Sequence, residues 1–307
     1  MIGARLDHHL GGASMQIGVT YPQLEFGADP AAIRDFAQAA EGAGFDYLVA
    51  YDHVLGGDPT KHELGGPYTH ESMFHEPFVL FGYLAGLTER IGLVTAIIIL
   101  PQRQTALVAK QAAEVDVLSG GRLTLGVGIG WNQVEYEGLG QDFRTRGRRS
   151  EEQVQLIRRL WEEPLVTFEG EFDTVRDAGI LPRPDRRIPI WFGGGADSVL
   201  RRIGRYGDGW LTNVGGSPEQ LRADVLPRLE RIREVAREAG RDADAIALIG
   251  RAGAAAGPLD AQVAEARGWE ELGATHVTFN GMSAGLHTPR EHIDAMTAFA
   301  EAYRREI

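Results

Sequence analysis

Apolar residues along this chain gather into short continuous runs, and longer stretches with helical spacing separate them. Eight runs, at 16–20, 47–50, 91–96, 123–127, 188–192, 209–212, 246–250 and 276–279, predict strands. Unbroken apolarity over four to six residues suits strands that are covered on both faces. A local pattern recurs between them: a helical stretch, a glycine near its end, then a β-rich run. It stands at 40–48 (AEGAGFDYL), 204–211 (GRYGDGWL) and 270–277 (EELGATHV). Glycine is expected there because the chain commonly leaves a helix through a left-handed residue.

Helix starts are marked as clearly. Ser217-Pro218-Glu219-Gln220 and Thr288-Pro289-Arg290-Glu291 each supply a cap, a first-turn proline and a capping-box partner. Ser150-Glu151-Glu152-Gln153 forms a third capping-box pattern, and Asp29-Pro30 opens the first long helix. Eight alternating strand–helix units favour an α/β fold closed as a (β/α)8 TIM barrel over an open sheet. Two intervals, 55–75 and 132–187, are long enough to be insertions after strands 2 and 4. The second contains a small hairpin expected over 165–173. The run 92–100 is too long for one barrel strand, so a bend or bulge is expected near Ala96.

Composition adds limits. The chain has 307 residues, 43% hydrophobic and 24% charged, which fits one barrel domain. Residues 1–14 read as a flexible leader, with Met15 as an alternative start and 15–307 as the barrel domain. No apolar run approaches the length of a membrane span, and the leader lacks the apolar stretch of a secretory signal. With no cysteine, thiol nucleophiles, disulfides and thiolate metal sites are excluded. The histidines lack metal-ligand spacing, so no metal is expected. A formal charge of −12 argues against nucleic acid as a partner. Lys61 and Lys110 are the only lysines among 31 basic residues, a bias in keeping with a GC-rich bacterial genome. Cytoplasmic residence is the simplest expectation.

Barrel enzymes carry their chemistry at the C-terminal ends of the strands. The second strand ends in Tyr51-Asp52-His53. An acid beside a histidine either positions a proton or bonds a heterocycle edge, or Asp52 merely caps the next turn. The fourth ends in alternating glycines, Gly126, Gly128 and Gly130, followed by Trp131. These allow close approach of a ligand or serve tight packing. The fifth delivers Gly193-Gly194-Gly195-Ala196 before a helix, which is either a phosphate cradle or a flexible turn. The basic stretch at 144–149 is a further anion candidate or a solvated loop.

Together EGAGF at 41–45, YDH at 51–53, EVDVLSGGRLTLGVGIGW at 114–131 and RIPIWFGGG at 187–195 resemble the bacterial luciferase-like flavin and deazaflavin oxidoreductases. The resemblance covers nearly the whole chain from Met15 and is nearest to the branch that uses coenzyme F420, a deazaflavin. It implies hydride transfer to or from a small organic substrate, in a homodimer. A monooxygenase using reduced flavin mononucleotide (FMN) is the alternative, and a non-catalytic flavin-binding barrel is a second. By position it implies that Thr95, Ala96 and Ile97 form a bulge behind the ring, with a cis peptide at Ala96-Ile97. Asp52 and His53 would be the catalytic residues, Asp52 also bonding the ring edge and His53 standing near the reacting face. Gly128, Gly130 and Trp131 would pass beside the ring, and Gly193, Gly194, Gly195 and Ala196 would receive the phosphate. Trp131 departs from the sugar-phosphate dehydrogenase branch, which places an acid there, so the acid–base group is left open.

Overall fold

A computed structural model describes residues 15–305, and the leader expected over 1–14 lies outside the described residues. In chain order the first elements are β1 (Gln16–Thr20), α1 (Gln23–Phe26), α2 (Pro30–Gly42), β2 (Tyr47–Ala50) and α3 (Pro77–Ala85). Next come β3 (Gly92–Thr95), β4 (Ile98–Ile99), α4 (Thr105–Leu118), β5 (Leu123–Gly128), α5 (Gln133–Gly138) and α6 (Arg146–Glu162). A hairpin of β6 (Val166–Glu169) and β7 (Thr174–Ala178) precedes β8 (Ile190–Gly193) and α7 (Asp197–Tyr206). The chain ends with β9 (Gly209–Leu211), α8 (Pro218–Glu238), β10 (Ala247–Gly253), α9 (Leu259–Glu271), β11 (His276–Asn280) and α10 (Pro289–Arg305).

Parallel pairing runs β3-β2-β1-β11-β10-β9-β8-β5, and β3 also pairs with β5, so the sheet closes. Because β4 continues β3 along the same edge of β5, the two count as one stave of an eight-stranded barrel. Side chains alternate across the staves as a pleated strand requires. Tyr47 and Val49 join Val94, Trp191, Leu211 and Ile249 inside the barrel. Leu48 and Ala50 face outward into the layer shared with the helices, beside Leu93, Leu125, Trp210 and Trp269. The chain between β2 and α3 holds no strand or helix, and the chain between β5 and β8 carries α5, α6 and the hairpin, where the two insertions were expected.

Local signals fared unevenly. Asp29 caps α2 through Ala31 N–H, and Ser217 and Gln220 form the capping box of α8. Gly44 and Gly273 leave their helices with φ of +78° and +79°, but Gly207 does so at −86°, in ordinary extended backbone. The start expected at Ser150 is corrected: α6 begins at Arg146, and Ser150 is buried inside it. The hairpin extends to Ala178 rather than closing at 173. Among the described residues no helix is long and apolar enough to cross a membrane.

Candidate active site

The site begins with a mismatch in strand length. Val94 lies opposite Thr124 and Ile98 opposite Val127, so Thr95, Ala96 and Ile97 face only two residues of β5. That extra residue is a β-bulge. Thr95 is fully buried, and its hydroxyl bonds both the N–H and the C=O of Gly126 at 2.8 Å. The side chain thereby replaces the ladder that the bulge interrupts. The Ala96-Ile97 peptide is cis. Glycine is required opposite the bulge, because a Cβ on Gly126 would stand 1.8 Å from the Thr95 carbonyl oxygen.

The bulge brings Ala96 and Ile97 to the wall of a cavity of about 490 Å³ at the C-terminal ends of the strands. This size is in the usual range for small-molecule and cofactor sites. Asp52, His53, Gly128, Gly130, Trp131, Gly193, Gly194, Gly195 and Ala196 line the same cavity. Thr95, also expected at the ring, lies behind the wall. Ile97 is held between two glycines: a Cβ on Gly128 or Gly193 would meet its side chain at 2.7 and 2.9 Å.

One end of the cavity suits an anion. Gly194 has φ of +119°, which only glycine adopts without strain, and α7 begins three residues later with no side chain capping it. Uncapped first-turn amides and the helix dipole favour negative charge. The Arg228 guanidinium and the Asn213 side chain lie 3.6 and 3.9 Å from where a Gly195 Cβ would stand, and Arg251 lines the cavity elsewhere. Neither arginine carried a local sequence signal, since α8 and β10 bring them in from distant segments.

Asp52 is more deeply committed than a ring contact requires. Oδ1 accepts from Arg103 Nη2 at 2.7 Å, while Oδ2 accepts from Arg103 Nε at 3.2 Å and Ile99 N–H at 3.0 Å. Arg103 also pairs with Glu76 at 2.8 Å. Burial alone would make Arg103 easier to deprotonate, but the charges of Asp52 and Glu76 outweigh it and raise its pKa. The carboxylate thus ties the end of β2 to β4, just beyond the bulge.

The other end of the cavity is aromatic. The His53 ring lies 5.3 Å from Tyr68, 4.9 Å from Phe74 and 5.4 Å from Trp131, centroid to centroid. Its Nδ1 is 3.1 Å from Oε2 of Glu135, whose side chain is 0% exposed. Glu135 Oε1 also accepts from the N–H groups of Val54 and Leu55. Burial would raise this carboxyl, but the hydrogen bond and charge of His53, with the Val54 N–H, bring it below the ordinary glutamate value. Sequence reasoning missed Glu135, which reads as an ordinary first-turn carboxylate inside an insertion. Tyr68 was missed for a similar reason.

A family model described as luciferase-like monooxygenase matches residues 8–305. An uncharacterized protein of Mycobacterium tuberculosis is 36% identical over 213 residues, covering 67% of this chain and 71% of that one. An F420-dependent glucose-6-phosphate dehydrogenase of Intrasporangium calvum is 33% identical over 225 residues, covering 70% of this chain and 63% of that protein. Among solved structures, an F420-dependent secondary alcohol dehydrogenase in complex with an F420-acetone adduct superposes with a TM-score of 0.75 at 21% identity, covering 95% of this chain and all of the other. A monooxygenase from Streptomyces bottropensis gives 0.72 at 20% identity, covering 95% and 99%. At these identities the two structures bear on the fold alone.

Proposed function

Since the chain belongs to the luciferase-like monooxygenase family, we propose that it is an F420-dependent oxidoreductase moving hydride to or from a small organic substrate. The supporting observation is that one cavity joins a flat apolar wall, Ala96 and Ile97, to an uncapped glycine loop bordered by Arg228 and Asn213. A planar heterocycle with a phosphate on its side chain fits that donor set. When bound, the deazaflavin supplies hydride chemistry that no side chain can provide.

The chain's own residues divide the remaining work. Ala96 and Ile97 support one ring face, and the glycines around Ile97 keep that wall flat. The Gly193–Gly195 loop and the first turn of α7 hold the phosphate, with Arg228 balancing its charge. Asp52 keeps β4 in place through Ile99 and Arg103, and its remaining lone pairs bond the ring edge. His53 holds or moves the substrate proton at Nε2. Tyr68, Phe74 and Trp131 exclude water and favour an uncharged substrate, which agrees with the absence of an acid at position 131. A cytoplasmic homodimer completes the reading, and light scattering on the purified protein tests its oligomeric state.

Equilibrium titration with F420 and with FMN, followed by quenching of protein fluorescence, tests the cofactor. Tighter binding of F420 and turnover with it support the proposal. Tighter binding of FMN with oxygen consumption would move the assignment to a flavin monooxygenase. Binding of a cofactor without turnover on any tested alcohol or ketone would favour a non-catalytic barrel.

A further inference from the structure

The two nitrogens of His53 have different surroundings. Nδ1 faces Glu135 Oε2 at 3.1 Å, and Nε2 has no hydrogen-bond partner among the described residues. His53 lines the cavity, so Nε2 is the nitrogen available to a ligand there. Glu135 comes from α5, within the second insertion, while His53 stands at the head of the first. Its carboxyl is held in the ionised form by its surroundings, and an ionised carboxylate can only accept hydrogen bonds.

We propose that Glu135 is the positioning residue of the site: it requires His53 to carry its neutral-state proton on Nδ1 and leaves Nε2 bare toward the cavity. Such a histidine accepts a proton at Nε2, and the buried carboxylate stabilises the imidazolium that results. Metal-binding histidines are oriented by outer carboxylates through the same physics. The inference deepens the proposed function and rests on its assignment of proton handling to His53.

Glu135 has a second task, and the two can be separated. Its Oε1 accepts from Val54 and Leu55, and Asn132 Nδ2 donates to the Leu55 carbonyl, so this region also latches the two insertions together. Glutamine keeps the latch, because its carbonyl oxygen can still accept from Val54 and Leu55. Its amide nitrogen is then left facing His53 Nδ1, and an amide N–H can only donate. Glu135→Gln should therefore invert the tautomer while preserving the loop.

The test uses cofactor-free full-length protein labelled with 15N-histidine, at a pH of about 8.5, where an ordinary imidazole is neutral. His53 signals are assigned by difference against His53→Asn. The wild type should show a protonated Nδ1 and an unprotonated Nε2, and Glu135→Gln should show the reverse. With F420 and substrate, Glu135→Gln should lower kcat by about 10- to 100-fold, in line with second-sphere effects elsewhere, and leave KM nearly unchanged. A wild-type spectrum with the proton on Nε2 would overturn the proposal, as would an unchanged pattern in Glu135→Gln. If that variant does not fold, the wild-type spectrum alone decides. The expected spectra from a protein that binds neither cofactor would sink the F420 reading and leave the Glu135 assignment standing.

Discussion

Thr95 and Gly126 are joined by two hydrogen bonds through one hydroxyl, which donates to the Gly126 carbonyl and accepts its N–H, each at 2.8 Å. Thr95→Val keeps the shape and removes both bonds, leaving two buried backbone groups unpaired. The loss should be about 2–6 kcal/mol, since each unsatisfied buried group costs about 1–3. Thr95→Ser should recover most of it. Urea denaturation checks both, and a valine variant within about 0.5 kcal/mol of wild type would show that the bulge does not depend on this tie.

Ile97 depends on its glycine neighbours. A Cβ on Gly128 would stand 2.7 Å from both Cδ1 and Cγ1 of Ile97. Gly128→Ala should push Ile97 off the wall and into the volume assigned to the ring. Cofactor affinity should fall at least about tenfold, equivalent to roughly 1.4 kcal/mol, with little change in the far-ultraviolet circular dichroism. Adding Ile97→Val should return part of that affinity. If it does not, the wall is not where the ring rests.

Much of this architecture was legible, and the misses have physical causes. The strands were readable because burial on both faces makes them continuously apolar. The bulge was readable because a nine-residue run at 92–100 exceeds one stave. The capping pattern at Ser150 failed because tertiary partners recruited its residues. Glu152 accepts the N–H groups of Glu171, Phe172 and Asp173 at the hairpin, and Gln153 donates to the Arg103 carbonyl and Thr105. At the site, Asp52 and His53 were singled out by their place at a strand end. Their partners Arg103 and Glu135 lie 51 and 82 residues away, at spacings that only the closed barrel brings together.

The Asp52–Arg103 pair should behave as one unit. Arg103→Ala leaves a buried carboxylate without its cation, and Asp52→Ala leaves the guanidinium beside Glu76 alone. Breaking a buried pair from one side typically costs about 3–5 kcal/mol. The double variant should lose less than the sum of the single losses by at least about 1 kcal/mol, the mark of contacting residues. A double-mutant cycle by chemical denaturation measures this. Additive losses would mean that Asp52 braces β4 through the Ile99 N–H alone.

At the opposite end of the barrel from the site, His276 opens β11 and packs edge-on against Trp191 and Tyr47, with centroids 4.8 and 5.6 Å away. Burial lowers its pKa to about 4. In the unfolded chain the same residue titrates near 6.5. Between those values the unfolded state binds a proton that the native state refuses, so stability must rise with pH across that window. The contribution is complete above about pH 6.5, is lost as the pH falls through that value, and levels off near 4. Its size is about 3 kcal/mol, because a tenfold difference in proton affinity is worth roughly 1.4 kcal/mol. His276→Phe keeps an aromatic ring against Trp191 and cannot titrate. Denaturation midpoints followed from pH 7 to pH 4 should therefore fall more steeply for the wild type than for the variant, the other titrating groups being common to both. Parallel slopes would mean that His276 is protonated in the native barrel, with water or a neighbour meeting the charge.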